Sequence, residues 1–465
     1  MTPALDTTSA DFDLMVIGAG PAGQKAALQA AKLGKKVAIV EREPRVGGAC
    51  VSTGTLPSKT LRETVHLRSL LGRRGLAAPG RATMSQLLER KAHVVKHEVD
   101  IIQGQLDRNH VEVIRGEGRF ESPHRLKVVT RDGMHRSYQS RFFVIATGSR
   151  PVAPKGLALD DARVLDSDSV LDLEQVPRTL VVLGGGVIGC EYACIFAALG
   201  TKVTLVDRRD RLLRFMDREI TDALAYQMRK ADITLRLGED FEDINLVNGT
   251  GRVEVRLRSG KVVLADRLLC AMGRASNVES LGLDALAVSC SATGLVQVNE
   301  HYQTTGQPNL YAVGDVIGFP SLASTSMEQG RLAACHAFGE AATTFPQSFP
   351  YGIYTIPEMS YVGATEEELT ERKVPYEVGR AEYSETARGQ ILGDHTGLLK
   401  LCFHRESLEL LGVHIIGEGA TELIHIGQAV LAHGGKVTYF RDNVFNYPTL
   451  AEAYKIAALN GINRL

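Results

Sequence analysis

The chain has 465 residues, a formal net charge of −1 and 44% hydrophobic residues. That is enough polypeptide for several buried cores and too balanced in charge for a nucleic-acid footprint. No apolar stretch approaches twenty residues, residues 1 to 12 carry neither the basic nor the apolar region of an export signal, and the seven cysteines (Cys50, Cys190, Cys194, Cys270, Cys290, Cys335, Cys402) are never spaced as metal ligands. A reducing cytoplasm and the absence of metal, membrane and nucleic-acid partners are the expectations.

From the N-terminus, an apolar run over Phe12 to Ile17 leads into Gly18-Ala-Gly20-Pro-Ala-Gly23, an alanine-rich helical stretch ending at Gly34, and a second apolar run, Val37 to Val40, that stops at Glu41 with Arg42 beside it. Such a unit holds a dinucleotide. The first glycine allows the tight turn, the second lets backbone approach a pyrophosphate at a helix N-terminus, the third packs helix on strand, and the acid accepts from a ribose hydroxyl. Gly47-Gly48-Ala-Cys50, Thr55 and Pro57-Ser-Lys59 follow, then charged helical spacing from about Thr60 to Leu106. The alternating runs Val111 to Ile114 and Leu126 to Val129 read as an antiparallel excursion, and Phe142 to Gly148 as a buried strand ending in the small-residue turn Ala146-Thr147-Gly148.

The same pattern then recurs. Thr179 to Leu183 leads into Gly184-Gly-Gly186-Val-Ile-Gly189, with Glu191 on the helix it opens, then Gly200 and the run Val203 to Val206 that stops at Asp207. The interval from first glycine to acid equals that in the first unit, so a second dinucleotide is expected in one shared geometry. Asp207 suits a free 2′-hydroxyl, whereas Arg208, Arg209, Arg211 and Arg214 behind it suit a 2′-phosphate. A return strand is expected at Ala271-Met-Gly273-Arg274, another ending at Tyr311-Ala-Val-Gly314-Asp315, and a helix over Ser326 to Phe338. After Gln347 the texture turns to strand-like runs (Leu398 to Phe403, Leu408 to Ile416) and a helix at Thr421 to His433.

Taken in order, these motifs, closing with Tyr447-Pro-Thr-Leu-Ala-Glu452, resemble the flavin-dependent pyridine nucleotide-disulfide oxidoreductases over nearly the whole chain. The resemblance implies an α/β fold with two Rossmann-like domains and an α+β C-terminal dimerisation domain. An FAD domain (1–148 and 271–344) would be interrupted by an NAD(P) domain (149–270) and followed by a dimer-interface domain (345–465). It implies Gly18, Gly20, Gly23, Glu41, Arg42, Gly47, Gly48, Cys50, Thr55, Lys59, Thr147, Gly148, Gly314 and Asp315 around FAD, and Gly184, Gly186, Gly189, Glu191, Asp207, Arg208, Arg209 and Gly273 around the nicotinamide nucleotide. Lys59 would pair with Glu191 near the flavin, where an ammonium stabilises developing negative charge.

Family members of the disulfide-reducing kind carry a second cysteine where Thr55 stands and a histidine where Tyr447 stands. Here Cys50-x-x-x-x-Thr55 cannot form a disulfide, Tyr447 is a poor proton carrier, and Glu452 reads as structural. Cys50 stays open between a thiolate favoured by Lys59 and a small buried filler; the other cysteines read as filler. The combination resembles the transhydrogenase branch. It implies an NAD(P)+ transhydrogenase, Si-specific, using FAD, NAD(H) and NADP(H), a ping-pong mechanism at the one remaining nucleotide site, and a homodimer or an assembly of dimers. A diaphorase or quinone reductase, and a non-catalytic redox sensor, are the alternatives.

Overall fold

The structure, a computed structural model, describes residues 10–73, 83–154, 162–247, 249, 251–342, 345 and 348–465. Most of the expected signal-free N-terminus and the domain edge at residue 344 lie outside the described residues. The chain forms two compact units, one of residues 1–60, 88–152 and 273–345, the other of 61–87, 153–272 and 346–465.

In the first unit, Phe12–Ile17 and Val37–Glu41 pair in parallel and are buried almost throughout. Such strands need cover on both faces. The parallel order runs Glu112–Arg115, Val37–Glu41, Phe12–Ile17, the C-terminal half of His135–Ile145, then Leu310–Ala312. Glu112–Arg115 therefore extends the parallel sheet, a correction to its expected place in the antiparallel excursion, which comprises only Glu117–Ser122, Arg125–Val129 and the N-terminal half of His135–Ile145. On one face, helix Pro21–Lys32 packs against helix Ala323–Ala337 so closely that a Cβ on Gly330 would lie 2.1 Å from the Ala22 carbonyl oxygen.

The second unit repeats the plan. Its parallel sheet runs Thr234–Leu237, Lys202–Asp207, Thr179–Leu183, Arg267–Cys270, Val164–Leu165, and a three-stranded antiparallel sheet (Phe241–Val247, Arg252–Leu257, Val262–Ala265) joins it through a shared core. The return strand expected at Ala271 to Arg274 is Arg267–Cys270 instead; Arg274–Ser276 pairs antiparallel with Ser149–Pro151 in the first unit. A five-stranded antiparallel sheet, ordered Tyr351–Ile353, Met359–Gly363, Leu410–Ile416, Leu398–His404, Tyr376–Glu382, is backed by helices Ala420–Ala432 and Glu452–Ile462.

A charge cluster lies inside this second unit. Lys400, fully buried on Leu398–His404, donates to Asp217 at 2.8 and 2.9 Å and to Glu366, with Glu219 at 3.1 Å, and Arg380 holds Glu219 at 2.7 Å. Asp217, Glu219 and Glu366 are grouped as metal ligands often are, with an ammonium in the cation's place. Asp217 also caps helix Arg218–Lys230 by accepting from the Glu219 N–H, so the cluster ties that helix to the antiparallel sheet.

Candidate functional site

The two glycine fingerprints adopt one geometry. Gly18 and Gly184 have φ of +105° and +107°, and a Cβ on either would sit 2.4 or 2.3 Å from the carbonyl oxygen of Ala146 or Ala271. A Cβ on Gly23 or Gly189 would sit 2.0 or 1.8 Å from the carbonyl oxygen of Gly18 or Gly184. Gly20 and Gly186 differ: they are the N-caps of helices Pro21–Lys32 and Val187–Ala198, without side-chain caps. Their first N–H groups are left for a ligand. Among the described residues, nothing lies within 4 Å of a Cβ built on Gly186. Gly189→Ala should therefore yield an unstable protein, whereas Gly186→Val should fold normally and lose nucleotide affinity; thermal melting and a binding titration on both variants check the contrast. Equal melting temperatures would show that the third glycine is not sterically required.

Each fingerprint is latched to its acid. Glu41 accepts from the backbone N–H groups of Ala19 (2.7 Å) and Glu43 (2.8 Å). Asp207 accepts from the equivalent N–H groups of Gly185 and Arg209, the latter at 2.7 Å. Only the second acid gains more: Arg209 Nε donates to Oδ1 at 2.9 Å and Nη2 to Oδ2 at 2.6 Å. Burial would raise Asp207, but the Arg209 hydrogen bonds outweigh it and hold the carboxyl below its ordinary value. The expected arginine cluster is thus divided. Arg209 is bound to Asp207, Arg211 to Glu367 at 2.9 Å and Arg214 to Asp210, while exposed Arg208 has no hydrogen bond or ion pair among the described residues.

Around the first fingerprint, helix Gly48–Ser52 approaches so closely that a Cβ on Gly48 would be 2.8 Å from Gly20 Cα, and Gly47 has φ +117°. Thr147 Oγ1 is buried with no hydrogen-bond partner among the described residues, although Asn277 anchors the Thr147 and Gly148 carbonyls, each at 3.0 Å. Asp315, beside Gly314 (φ +79°), accepts from the Ser149 hydroxyl at 2.8 Å, and Ser149 accepts from Arg274 Nε at 2.8 Å. An uncapped helix N-terminus, a cradle that any Cβ would fill and an orphaned buried hydroxyl on one unit fit a dinucleotide such as FAD.

Cys50 is half-buried, and burial pushes its thiol up. The Thr55 hydroxyl and Lys59 pull the other way without reversing it, so the expected thiolate-favouring effect of Lys59 is present but outweighed. Burial likewise pushes up the other six cysteines; five are buried as filler would be, and Cys290 is exposed, a correction to its expected place in a core. Lys59, also half-buried, lies near the N-terminus of helix Thr55–Arg73 with Nζ 3.4 Å from Ser58 Oγ.

Glu191 is 4% exposed and accepts from the Tyr354 N–H at 2.9 Å. Here the sequence reading missed a clamp. Buried Arg62 donates to the carbonyl of the next residue, Thr355, at 3.3 and 3.2 Å. Two consecutive residues are thereby held, Tyr354 by the carboxylate and Thr355 by the guanidinium. The only hint in the sequence is an arginine one turn after Lys59. Tyr447 is 76% exposed, and Glu452 accepts from the Thr449 N–H at 2.8 Å at the start of its helix, an arrangement that serves the local fold.

The sequence model of the family described as "Pyridine nucleotide-disulphide oxidoreductase" matches residues 12–330, and that of its dimerisation domain residues 349–458. A protein of Mycobacterium tuberculosis named "Soluble pyridine nucleotide transhydrogenase" is 50% identical over 461 residues, covering 98% of both chains. One of the same name from Aliivibrio fischeri is 46% identical over all of both chains. Among solved structures, LpdA from Mycobacterium tuberculosis superposes with a TM-score of 0.89 at 26% identity over 96% of this chain and 99% of that one. The HOCl-induced flavoprotein disulfide reductase RclA from Escherichia coli does so at 0.87 and 26%, with the same coverage.

Proposed function

Because the chain belongs to the pyridine nucleotide-disulphide oxidoreductase family, we propose that it is an FAD-dependent transhydrogenase catalysing NADPH + NAD⁺ ⇌ NADP⁺ + NADH. The observation that carries this is the residue five positions after Cys50: it is Thr55, whose hydroxyl pulls the thiol down against burial, so the chain has no dithiol there to pass electrons onward. The relatives at 50% and 46% identity bear the matching name.

Bound FAD supplies a ring that accepts and returns a hydride. The chain's own part is to bind and orient. Gly18, Gly20, Gly23 and the N-terminus of Pro21–Lys32 take the FAD pyrophosphate, Glu41 the adenosine ribose, Thr147 and Gly148 the pocket wall, and Asp315, steadied by Ser149, the ribityl chain. Gly184, Gly186, Gly189 and Asp207 take the nicotinamide nucleotide. Lys59 sets a positive charge where negative charge gathers.

We divide the chain into an FAD domain (1–148, 271–344), an NAD(P) domain (149–270) and a dimer-interface domain (345–465), working in the cytoplasm as a homodimer or an assembly of dimers without nucleic-acid or membrane partners. The seven free cysteines fit a reducing compartment, and no described helix is long and apolar enough to cross a membrane.

One nicotinamide-nucleotide site implies that donor and acceptor occupy it in turn. With NADPH and the thio analogue of NAD⁺, double-reciprocal plots should be parallel. Intersecting lines would demand a second pocket, and faster oxidation of the reduced protein by a quinone than by NAD⁺ would favour the diaphorase reading.

A further inference from the structure

We infer that Arg209 is a two-position specificity residue: folded onto Asp207 it makes the pocket acceptable to a nucleotide bearing a 2′-phosphate, and lifted away it frees Asp207 for a 2′-hydroxyl. This rests on the assignment of the second fingerprint to NAD(P).

The chain contains its own comparison. At equivalent places stand Glu41-Arg42-Glu43 and Asp207-Arg208-Arg209, and both acids are latched by the same two backbone N–H groups. The third residue is the difference. Glu43 contributes only its backbone to Glu41, whereas Arg209 returns two guanidinium N–H groups to the carboxylate two positions back.

A carboxylate has about four acceptor sites. Asp207 fills them: Oδ1 with the Arg209 N–H and Nε, Oδ2 with the Gly185 N–H and Nη2. A ribose hydroxyl can bind only by displacing a guanidinium contact, and the backbone latches are part of the turn. While those contacts stand, the carboxylate's charge is offset by a bidentate cation and no longer repels a phosphate. The Asp207 side chain is 4% exposed but that of Arg209 is 38% exposed, so the arginine has room to leave and the acid does not. Arg208, exposed and adjacent, is left for direct contact with the phosphate. Neutralisation and phosphate contact would then belong to different residues.

The test measures dissociation constants of NADPH and NADH for the FAD-loaded protein at fixed ionic strength. Arg209→Ala should weaken NADPH about tenfold or more and leave NADH equal or tighter. Arg209→Glu, which copies the first unit's pattern, should do the same more strongly. The deciding variant is Asp207→Asn combined with Arg209→Ala: with the acid's charge gone, NADPH affinity should return to within about threefold of wild type. If the double variant stays as weak as Arg209→Ala, the arginine contacts the phosphate itself and the inference is wrong. Equal loss of NADPH and NADH in Arg209→Ala would make it a structural brace, and also overturn the inference. Gly186→Val tests the site separately; unchanged affinities there would remove the assignment of the fingerprint and the inference with it.

Discussion

Replacing Lys400 with methionine should lower the stability of the protein by about 3–5 kcal/mol, because it leaves buried carboxylates without their cation. Lys400 and Asp217 have side chains only 1% exposed, so water cannot take over the ammonium's role. The matched comparison is Arg218→Met, which breaks a pair with Asp222 whose two side chains are 73% and 62% exposed and should cost less than about 1 kcal/mol. The two thermal midpoints should separate clearly. The pH dependence carries a sign. Burial alone would raise Asp217, and the His414 ring and Lys400 ammonium together hold it below its ordinary value. His414 is itself pushed down by burial, so at neutral pH the ammonium does most of the holding. Glu219 is also lowered: burial opposes, and Arg380 and Lys400 prevail. Groups lowered in this way stabilise the fold fully above their unfolded values near 4 and cease to do so as pH falls through the folded ones. Wild type should therefore lose more stability than Lys400→Met between about pH 5 and pH 2. A penalty unchanged over that range would show that packing, not charge, sets the effect.

Lys59→Met should reduce transhydrogenation by about 10²–10³-fold, the usual cost of removing one preorganised charge at a reacting centre, with FAD content unchanged. Glu191→Gln should cost a similar factor if the pair acts as a unit, and the double variant should then be little worse than either single one. Multiplying penalties would mean two separate roles. An effect of Lys59→Met below about threefold would make it an ordinary helix charge, far short of the factors expected of a catalytic one. Glu191 keeps the Tyr354 N–H as a hydrogen-bond donor in either case, so loss of Lys59 should not unfold the helix that carries it.

What could be read from the residues alone follows from how local the physical demand is. The fingerprints were legible because each glycine answers a steric requirement set within one strand, turn and helix; the carbonyl oxygen met by a Cβ on Gly23 belongs to Gly18. The strand Glu112–Arg115 was misplaced because alternation of exposed and buried residues marks a sheet edge, and an edge can be parallel as well as antiparallel. Arg209 could be named as a candidate but not understood, since nothing in Asp-Arg-Arg says which guanidinium folds back. Arg62 resembles a solvated helix charge until Thr355, far along the chain, is brought to it. Lys400 interrupts the apolar run Leu-Leu-Lys-Leu-Cys-Phe, and the three acids that justify it come from distant segments. The behaviour of Cys50 turns on burial, which its neighbours in sequence do not report.

The closure of the first unit also has a consequence for biosynthesis. Helix Pro21–Lys32 is among the earliest elements to leave the ribosome, yet the helix that covers it, Ala323–Ala337, and the neighbouring strand Leu310–Ala312 are translated only after the whole parallel sheet of the second unit. At about 5–20 residues per second the early helix waits on the order of tens of seconds for its partner. Where Gly330 of the late helix meets it, the waiting helix presents Ala22 and Ala26, side chains small enough to offer chaperones or other nascent chains little apolar area to hold. The alanines that permit close packing in the finished protein thus also keep the unfinished one from sticking.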